Sequence, residues 1–241
     1  MKKRNQVLIL IFLVCILIIV NYNFLDNKIE GFLIGERIEY AKVTRIVDGD
    51  TIKINNNDTI RFLGINTPER GEKYYKEAKE FLEKEILNKT IKIERTEDNR
   101  DKYQRLLRYV FLDGKNINVE IVKNGLANYY FYSGKDIYSD ELEDAWEECL
   151  KKEINLCEKS KNKCAGCIEI KDENLILYNS CSFSCSLKDW TIKGEGREKF
   201  VFNQSILIAG GKTEFKLDLT NSGGSLFLRD EEGKLVVWES Y

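Results

Sequence analysis

The chain has 241 residues, enough for one or two domains. Hydrophobic residues make up 43% and charged residues 32%, the composition of a folded globular protein, which excludes wholesale disorder. The net charge is −2, or −5 without Lys2, Lys3 and Arg4, which excludes a broadly basic nucleic-acid grip, and the absence of histidine excludes His zinc sites, His bases and Ser-His-Asp or Cys-His nucleophiles.

Residues 7–20 are apolar without a break and follow a short basic segment. They predict a hydrophobic N-terminal helix within residues 1–25. No small-x-small cleavage site follows, so the segment reads as an uncleaved signal-anchor, with a cleaved signal peptide as the alternative. The basic flank orients such an anchor as a single pass through the cell membrane with the body extracellular, or secreted if the signal is removed. Residues 26–38 read as a linker. From residue 39 the texture is β: 42–47 alternates, 51–54 follows the Gly49 turn, and 59–65 follows a polar cluster. Apolar residues at helical spacing predict a helix over 73–87. Strands follow at 90–94 and 107–112. A short helix at 118–124 is expected to be capped by Asn118, and one at 140–152 by Ser139. Three strands, a helix, two strands and two helices are the layout of an OB-fold, a five-stranded barrel, over residues 39–157.

Six cysteines come next, Cys149, Cys157, Cys164, Cys167, Cys181 and Cys185, with Cys15 apart in the apolar run. An even set in an exported body points to disulfides. Cys164-x2-Cys167 followed by Cys181-x3-Cys185 also has the spacing of a four-thiolate zinc site, and the sequence leaves both readings open. Residues 158–166 form a charged, cysteine-containing linker. Over 167–241, short strands at 175–178, 190–193, 199–202, 214–219, 225–228 and 235–238 alternate with glycine-rich turns, the pattern of a small β-sandwich. The fold class expected is thus mainly β with helices: a hydrophobic helix, an OB-fold barrel and a sandwich.

Three clusters in the barrel segment carry chemistry. They are Asp48-Gly49-Asp50-Thr51, the run Arg61 to Glu69 containing Asn66-Thr67-Pro68, and Asp101-Lys102-Tyr103-Gln104-Arg105. Singly they read as a hairpin turn, a strand break before a helix, and a solvated loop. Jointly they describe a site that cleaves phosphodiesters. Asp50, Asn66 and the Thr67 carbonyl supply hard oxygen ligands suited to Ca²⁺. Arg61 and Arg105 fork onto a phosphate and match the charge that grows in the transition state. Glu69 positions or deprotonates the attacking water in a chain without histidine. The rival is a non-catalytic module that binds nucleic acid or protein, against which the two arginines and the glutamate argue.

These clusters resemble the motifs of the staphylococcal nuclease (thermonuclease) family. The motifs are the Asp-Gly-Asp-Thr turn, an Arg strand leading to Asp/Asn-Thr-Pro-Glu, and Asp-Lys-Tyr-Gly-Arg. The resemblance runs over about residues 40–157. It implies an OB-fold nuclease that uses Ca²⁺ to hydrolyse DNA and RNA by water attack, leaving 3′-phosphate ends. Arg61, Glu69 and Arg105 then match catalytic positions, Asp50, Asn66 and Thr67 the calcium shell with Asp48 close by, and Lys102 and Tyr103 the substrate contacts. Tyr129, Tyr130 and Tyr132 are either a stacking wall or core and rim aromatics. Three departures stand out: Asn66 where Asp is usual, Gln104 for Gly, and Cys157 where Trp often follows the last helix. Residues 167–241 resemble, more loosely, the lamin-tail domain, which implies an immunoglobulin-like sandwich that binds an unidentified ligand or acts as a spacer. A monomer is expected.

Overall fold

The computed structural model describes Ile11 and residues 38–240, apart from 97, 98, 133, 172–174, 197, 204, 205 and 220–223. The expected N-terminal helix lies outside the described residues except for Ile11. Among the described residues no helix is long and apolar enough to cross a membrane. Residues 40–241 form one compact unit.

Strands β1 (Ile38–Ile46), β2 (Thr51–Ile54) and β3 (Thr59–Phe62) make an antiparallel meander. β4 (Ile65–Asn66) is a separate short strand. Helix α1 (Tyr75–Ile86) then leads to β5 (Thr90–Glu94) and β6 (Leu106–Leu112). β5 pairs with both β1 and β6, and β6 pairs in parallel with β3. That last pairing closes five strands into a mixed barrel of the OB-fold type and leaves its members no free edge. The barrel is filled by Val43, Ile52, Ile60, Phe62, Ile91 and Val110, and plugged by Ala78, Leu82 and Ile86 from the apolar face of α1. The single strand expected over 59–65 is broken at Gly64, whose φ of +70° suits glycine. A Cβ there would meet Leu142 Cδ1 at 2.4 Å and Tyr109 Oη at 2.6 Å, so the bend also needs the space.

β7 (Lys115–Asn116), α2 (Ile117–Lys123), β8 (Asn128–Tyr129) and α3 (Ser139–Lys152) follow. Neither expected cap holds. Asn116 caps α2, its side chain accepting from the Asn118 N–H. Asn118 is fully buried; its Oδ1 accepts from Val110 N at 3.0 Å and its Nδ2 donates to Leu63 O at 2.8 Å. Ser139 is already helical, and its Oγ accepts from Asp136 N at 2.8 Å.

The remaining strands are β9 (Ile168–Lys171), β10 (Ile176–Asn179), β11 (Cys185–Ser186), β12 (Trp190–Lys193), β13 (Lys199–Phe202), β14 (Ile206–Leu207), β15 (Lys212–Glu214), β16 (Ser225–Arg229) and β17 (Leu235–Ser240). They form sheets β15-β10-β9, β11-β14 and β13-β12-β16-β17. The strand expected over 214–219 is shorter and earlier, ending at Glu214. β16 is buried on both faces. Leu226 and Leu228 face a second core with Trp190 and Ile192, while Phe227 joins the barrel core. There its ring meets Trp146 of α3 edge-on, with centroids 5.3 Å apart. The residues expected as a linker are pinned to this sheet at their start: Leu235 N donates to Glu158 O and Ser160 N to Leu235 O, both at 2.8 Å.

All six clustered cysteines are in disulfides: Cys149–Cys157, Cys164–Cys185 and Cys167–Cys181. This decides against the zinc reading. The first bridge fastens the end of α3 to the turn after it, and the other two lie within the second core segment, so none ties the helix to the following sheets.

Candidate active site

The Asp48–Thr51 turn joins β1 to β2. Asp48 Oδ1 accepts from Asp50 N at 3.2 Å, the local carboxylate-to-backbone bond that favours Asp in such turns. Gly49 packs where a Cβ would lie 2.7 Å from the Ala78 Cβ of α1 and 3.0 Å from Thr67, so only glycine lets turn, helix and loop meet. Asp50 is 6% exposed, and four donors converge on its carboxylate. Thr51 Oγ1 (2.9 Å) and Arg61 Nε (3.2 Å) reach Oδ1; Thr67 N (3.2 Å) and Thr67 Oγ1 (2.9 Å) reach Oδ2. Burial alone would raise this carboxyl. The Arg61 guanidinium and the Thr67 and Thr51 bonds outweigh it and hold Asp50 below the usual carboxylate range. Asp48 moves the other way, raised by burial and by the neighbouring Asp50 charge.

Arg61 is fixed by more than charge. It is 8% exposed, and its terminal nitrogens donate to the backbone oxygens of Phe62 and Ile65, on either side of the Gly64 bend. The bend thus builds the cradle for the guanidinium. β4 pairs with β8, Asn66 opposite Asn128. Asn66 is 4% exposed, and its Nδ2 donates to the carbonyls of Glu195 and Gly196, each at 3.0 Å. The residue expected only as a calcium ligand therefore also fastens the barrel to the turn between β12 and β13. Glu69 follows at the start of the loop into α1, where its N–H donates to Glu72 Oε2 at 2.8 Å.

The third cluster is built around Asp101. Its Oδ1 accepts from the backbone of Tyr103 and Arg105, and its Oδ2 pairs with Arg105 Nε at 2.7 Å. Burial opposes, but the Arg105 bonds prevail and Asp101 is held below the usual range. Lys102 Nζ and the Arg105 guanidinium lie 5.2 and 5.5 Å from the Tyr103 ring centre, and Tyr103 is 63% exposed. The parallel register pairs Arg61 with Leu107. Arg105 precedes Leu107 by two residues and ends the loop that leads into β6.

The structure thus joins Asp50, Arg61 and Thr67 by direct bonds, and gathers Asp101, Lys102, Tyr103 and Arg105 in the loop that leads into β6, the strand paired with Arg61's. Tyr129 does not form a stacking wall: it is 3% exposed and hydrogen-bonds Ser225. Tyr132 is exposed, with Tyr130 beside it. Sequence reasoning missed Glu195, Gly196 and Glu72, which lie in ordinary turn and loop contexts with no local signal.

Among the described residues no three acidic or cysteine side chains are grouped to hold a metal. The oxygen-only set of Asp48, Asp50, Asn66 and the Thr67 carbonyl nevertheless fits a hard cation such as Ca²⁺. It places two acids on one turn, Asp48 being raised by burial and then by the Asp50 charge, and a bound cation would offset both.

A profile described as staphylococcal nuclease homologue matches residues 59–159. The thermonuclease of Staphylococcus intermedius is 32% identical over 168 residues, covering 66% of this chain and 100% of that protein. The thermonuclease of Staphylococcus hyicus is 30% identical over 169 residues, 65% of this chain and 98% of that protein. The SPbeta prophage-derived endonuclease YokF of Bacillus subtilis is 36% identical over 127 residues, 48% of this chain and 43% of that protein. With a relative of this similarity matched along its full length, and with the motif residues gathered on a closed five-stranded barrel, this chain belongs to the staphylococcal nuclease family.

Proposed function

We propose that this protein is a Ca²⁺-dependent endonuclease that hydrolyses DNA and RNA and leaves 3′-phosphate ends. The observation that carries the reading is the buried knot of Asp50, Arg61 and Thr67, with Arg105 in the loop that leads into the strand paired with Arg61's. Arg61 is pre-aimed by two backbone carbonyls, so it needs no reorganisation to face an anionic phosphate. Arg105 is held by Asp101 and supplies the second guanidinium. Glu69 takes the proton of the attacking water, and Lys102 and Tyr103 contact the substrate. Asp50, Asn66 and the Thr67 carbonyl, with Asp48 near, hold Ca²⁺, which when bound polarises the phosphoryl oxygen. The body acts outside the cell, anchored by residues 1–25 or secreted, as a monomer; the three disulfides support that compartment. Residues 39–157 then form the nuclease domain, 158–166 the connection, and 167–241 a lamin-tail-like domain.

The test is cleavage of single-stranded DNA and of RNA by the purified protein with Ca²⁺ and with chelator. Degradation with Ca²⁺ that stops in chelator, and products that a 3′-phosphatase alters, are expected. Full activity in chelator removes the calcium role, and no cleavage under either condition removes the enzyme.

A further inference from the structure

A cavity of about 180 Å³ opens between the loop that carries Glu69 and the β12–β13–β16 sheet. That is far above the ~10–15 Å³ one water needs. Thr67 and Pro68 line one side; Lys193, Lys199 and Arg229 line the other. Lys73 also borders it, and Glu72 is the one carboxylate in its wall. Four cations thus meet one acid. Glu72 pairs with Lys193 at 3.3 Å and with Lys199 at 2.9 Å, and already accepts from Glu69 N.

Arg229 is the least compensated group. Nη1 donates to the carbonyls of Leu156 and Gly233, and Nη2 is buried without a hydrogen-bond partner. No carboxylate is paired with it among the described residues: Asp230, next in the chain, is turned to Ser160 and to the amides of Glu232 and Lys234. Burial pushes the guanidinium down to about 10. Arg229 is half-buried as a residue, but its Nη2 is enclosed, and an enclosed cationic donor is costly unless something anionic completes it. Asn128, also in the wall, has its Oδ1 buried and unpartnered as well, a place for a hydroxyl or amide donor.

We propose that this cavity is a phosphate-binding subsite: Arg229, Lys193 and Lys199 take a phosphate group next to the Asp50–Arg61 site. The group belongs to the substrate strand, one or more nucleotides away from the bond being cut. This choice of source, but not the phosphate chemistry, rests on the nuclease reading. The sheet that β12, β13 and β16 form thereby extends the substrate track beyond the barrel.

Two measurements on the full chain, both in chelator so that no strand is cut, test it. The variants are Lys193→Gln with Lys199→Gln and, as a control of equal charge change on α3, Lys151→Gln with Lys152→Gln. Calorimetric titration with inorganic phosphate should give a site in the parent and in the control that is at least tenfold weaker in the cavity variant, apart from any phosphate held by Arg61 and Arg105, which the cavity substitutions leave unchanged. Anisotropy of a labelled single-stranded DNA should show weaker binding in the cavity variant alone. Its log Kd against log salt should be shallower by about 0.7, the share of one phosphate contact on a single strand. Phosphate binding that depends on the two lysines, with strand binding that does not, keeps the subsite and overturns the strand as its source. Absence of phosphate binding in the parent, or equal binding by the cavity variant, overturns the subsite. Phosphate binding without any cleavage in Ca²⁺ overturns the nuclease reading alone.

Discussion

Arg61 and Arg105 are both guanidiniums aimed by carboxylates, but their burial differs, and so do the consequences of removing them. Arg105 is 22% exposed at its side chain and its Asp101 partner is near solvent. Arg105→Ala should lower turnover by about 10²-fold or more while leaving thermal unfolding nearly unchanged. Arg61→Ala strands a buried Asp50 and should cost about 3–5 kcal/mol of stability in addition to activity. Urea titration beside an activity assay separates the two. Asn66 explains itself through its amide. Asn66→Asp replaces two donated hydrogen bonds by a carboxylate facing the Glu195 and Gly196 carbonyls, and should cost about 1–3 kcal/mol in calcium-free urea titrations. Added Ca²⁺ should return part of that loss if the new charge faces the metal. Gln104 sits at φ +65°, a left-handed conformation that its Cβ disfavours. Gln104→Gly should raise stability by about 1 kcal/mol, read in the same titration. The motif residues themselves were legible from type and spacing. The partners of Asn66 were not, because they lie about 130 residues away in the chain.

Among the elements, the start of α1 is tied to β12 and β13 through Glu72. Burial works against its charge, but Lys193, Lys199 and the Glu69 N–H hold its carboxyl below the usual range. A depressed acid stabilises the fold above its unfolded pKa, near ~4.3 for Glu, and that contribution is lost as pH falls through the lower folded value. Glu72→Gln should therefore lower stability at pH 7 and flatten the acid limb of the stability curve below about pH 4.5, measured by urea titrations across pH. Strands β2, β5 and β12 were readable to the residue, since each alternates, and so was β13, a short apolar run after the Gly194–Gly196 turn. The two caps were misread for different reasons. Asn118 and Ser139 have cap chemistry, but other partners claimed their side chains: Val110 and Leu63 across the barrel for Asn118, and Asp136, three residues back in the turn before α3, for Ser139.

At the scale of the whole molecule, β16 belongs to two cores at once, and Phe227 is the joint. Phe227→Ala should cost about 3–5 kcal/mol and lower the melting temperature of the barrel as well as of the sheets, seen as a shift of one common transition in calorimetry. Six paired cysteines should leave only Cys15 reactive in denatured, unreduced protein, counted by thiol titration. Period, turn residues and motif spacing by themselves determined the five main barrel strands and the helices between and after them, and singled out the candidate site residues, because strand and helix periods and motif spacings are local patterns. Disulfides against zinc, the second face of β16, the clasp on Asn66 and the cationic cavity were decided by tertiary structure alone. The cysteine partners, 8 to 21 residues apart, could have paired in other ways, and the remaining three are made by groups far apart in the chain; no local pattern records which surface will supply the partner for a buried charge, amide or ring.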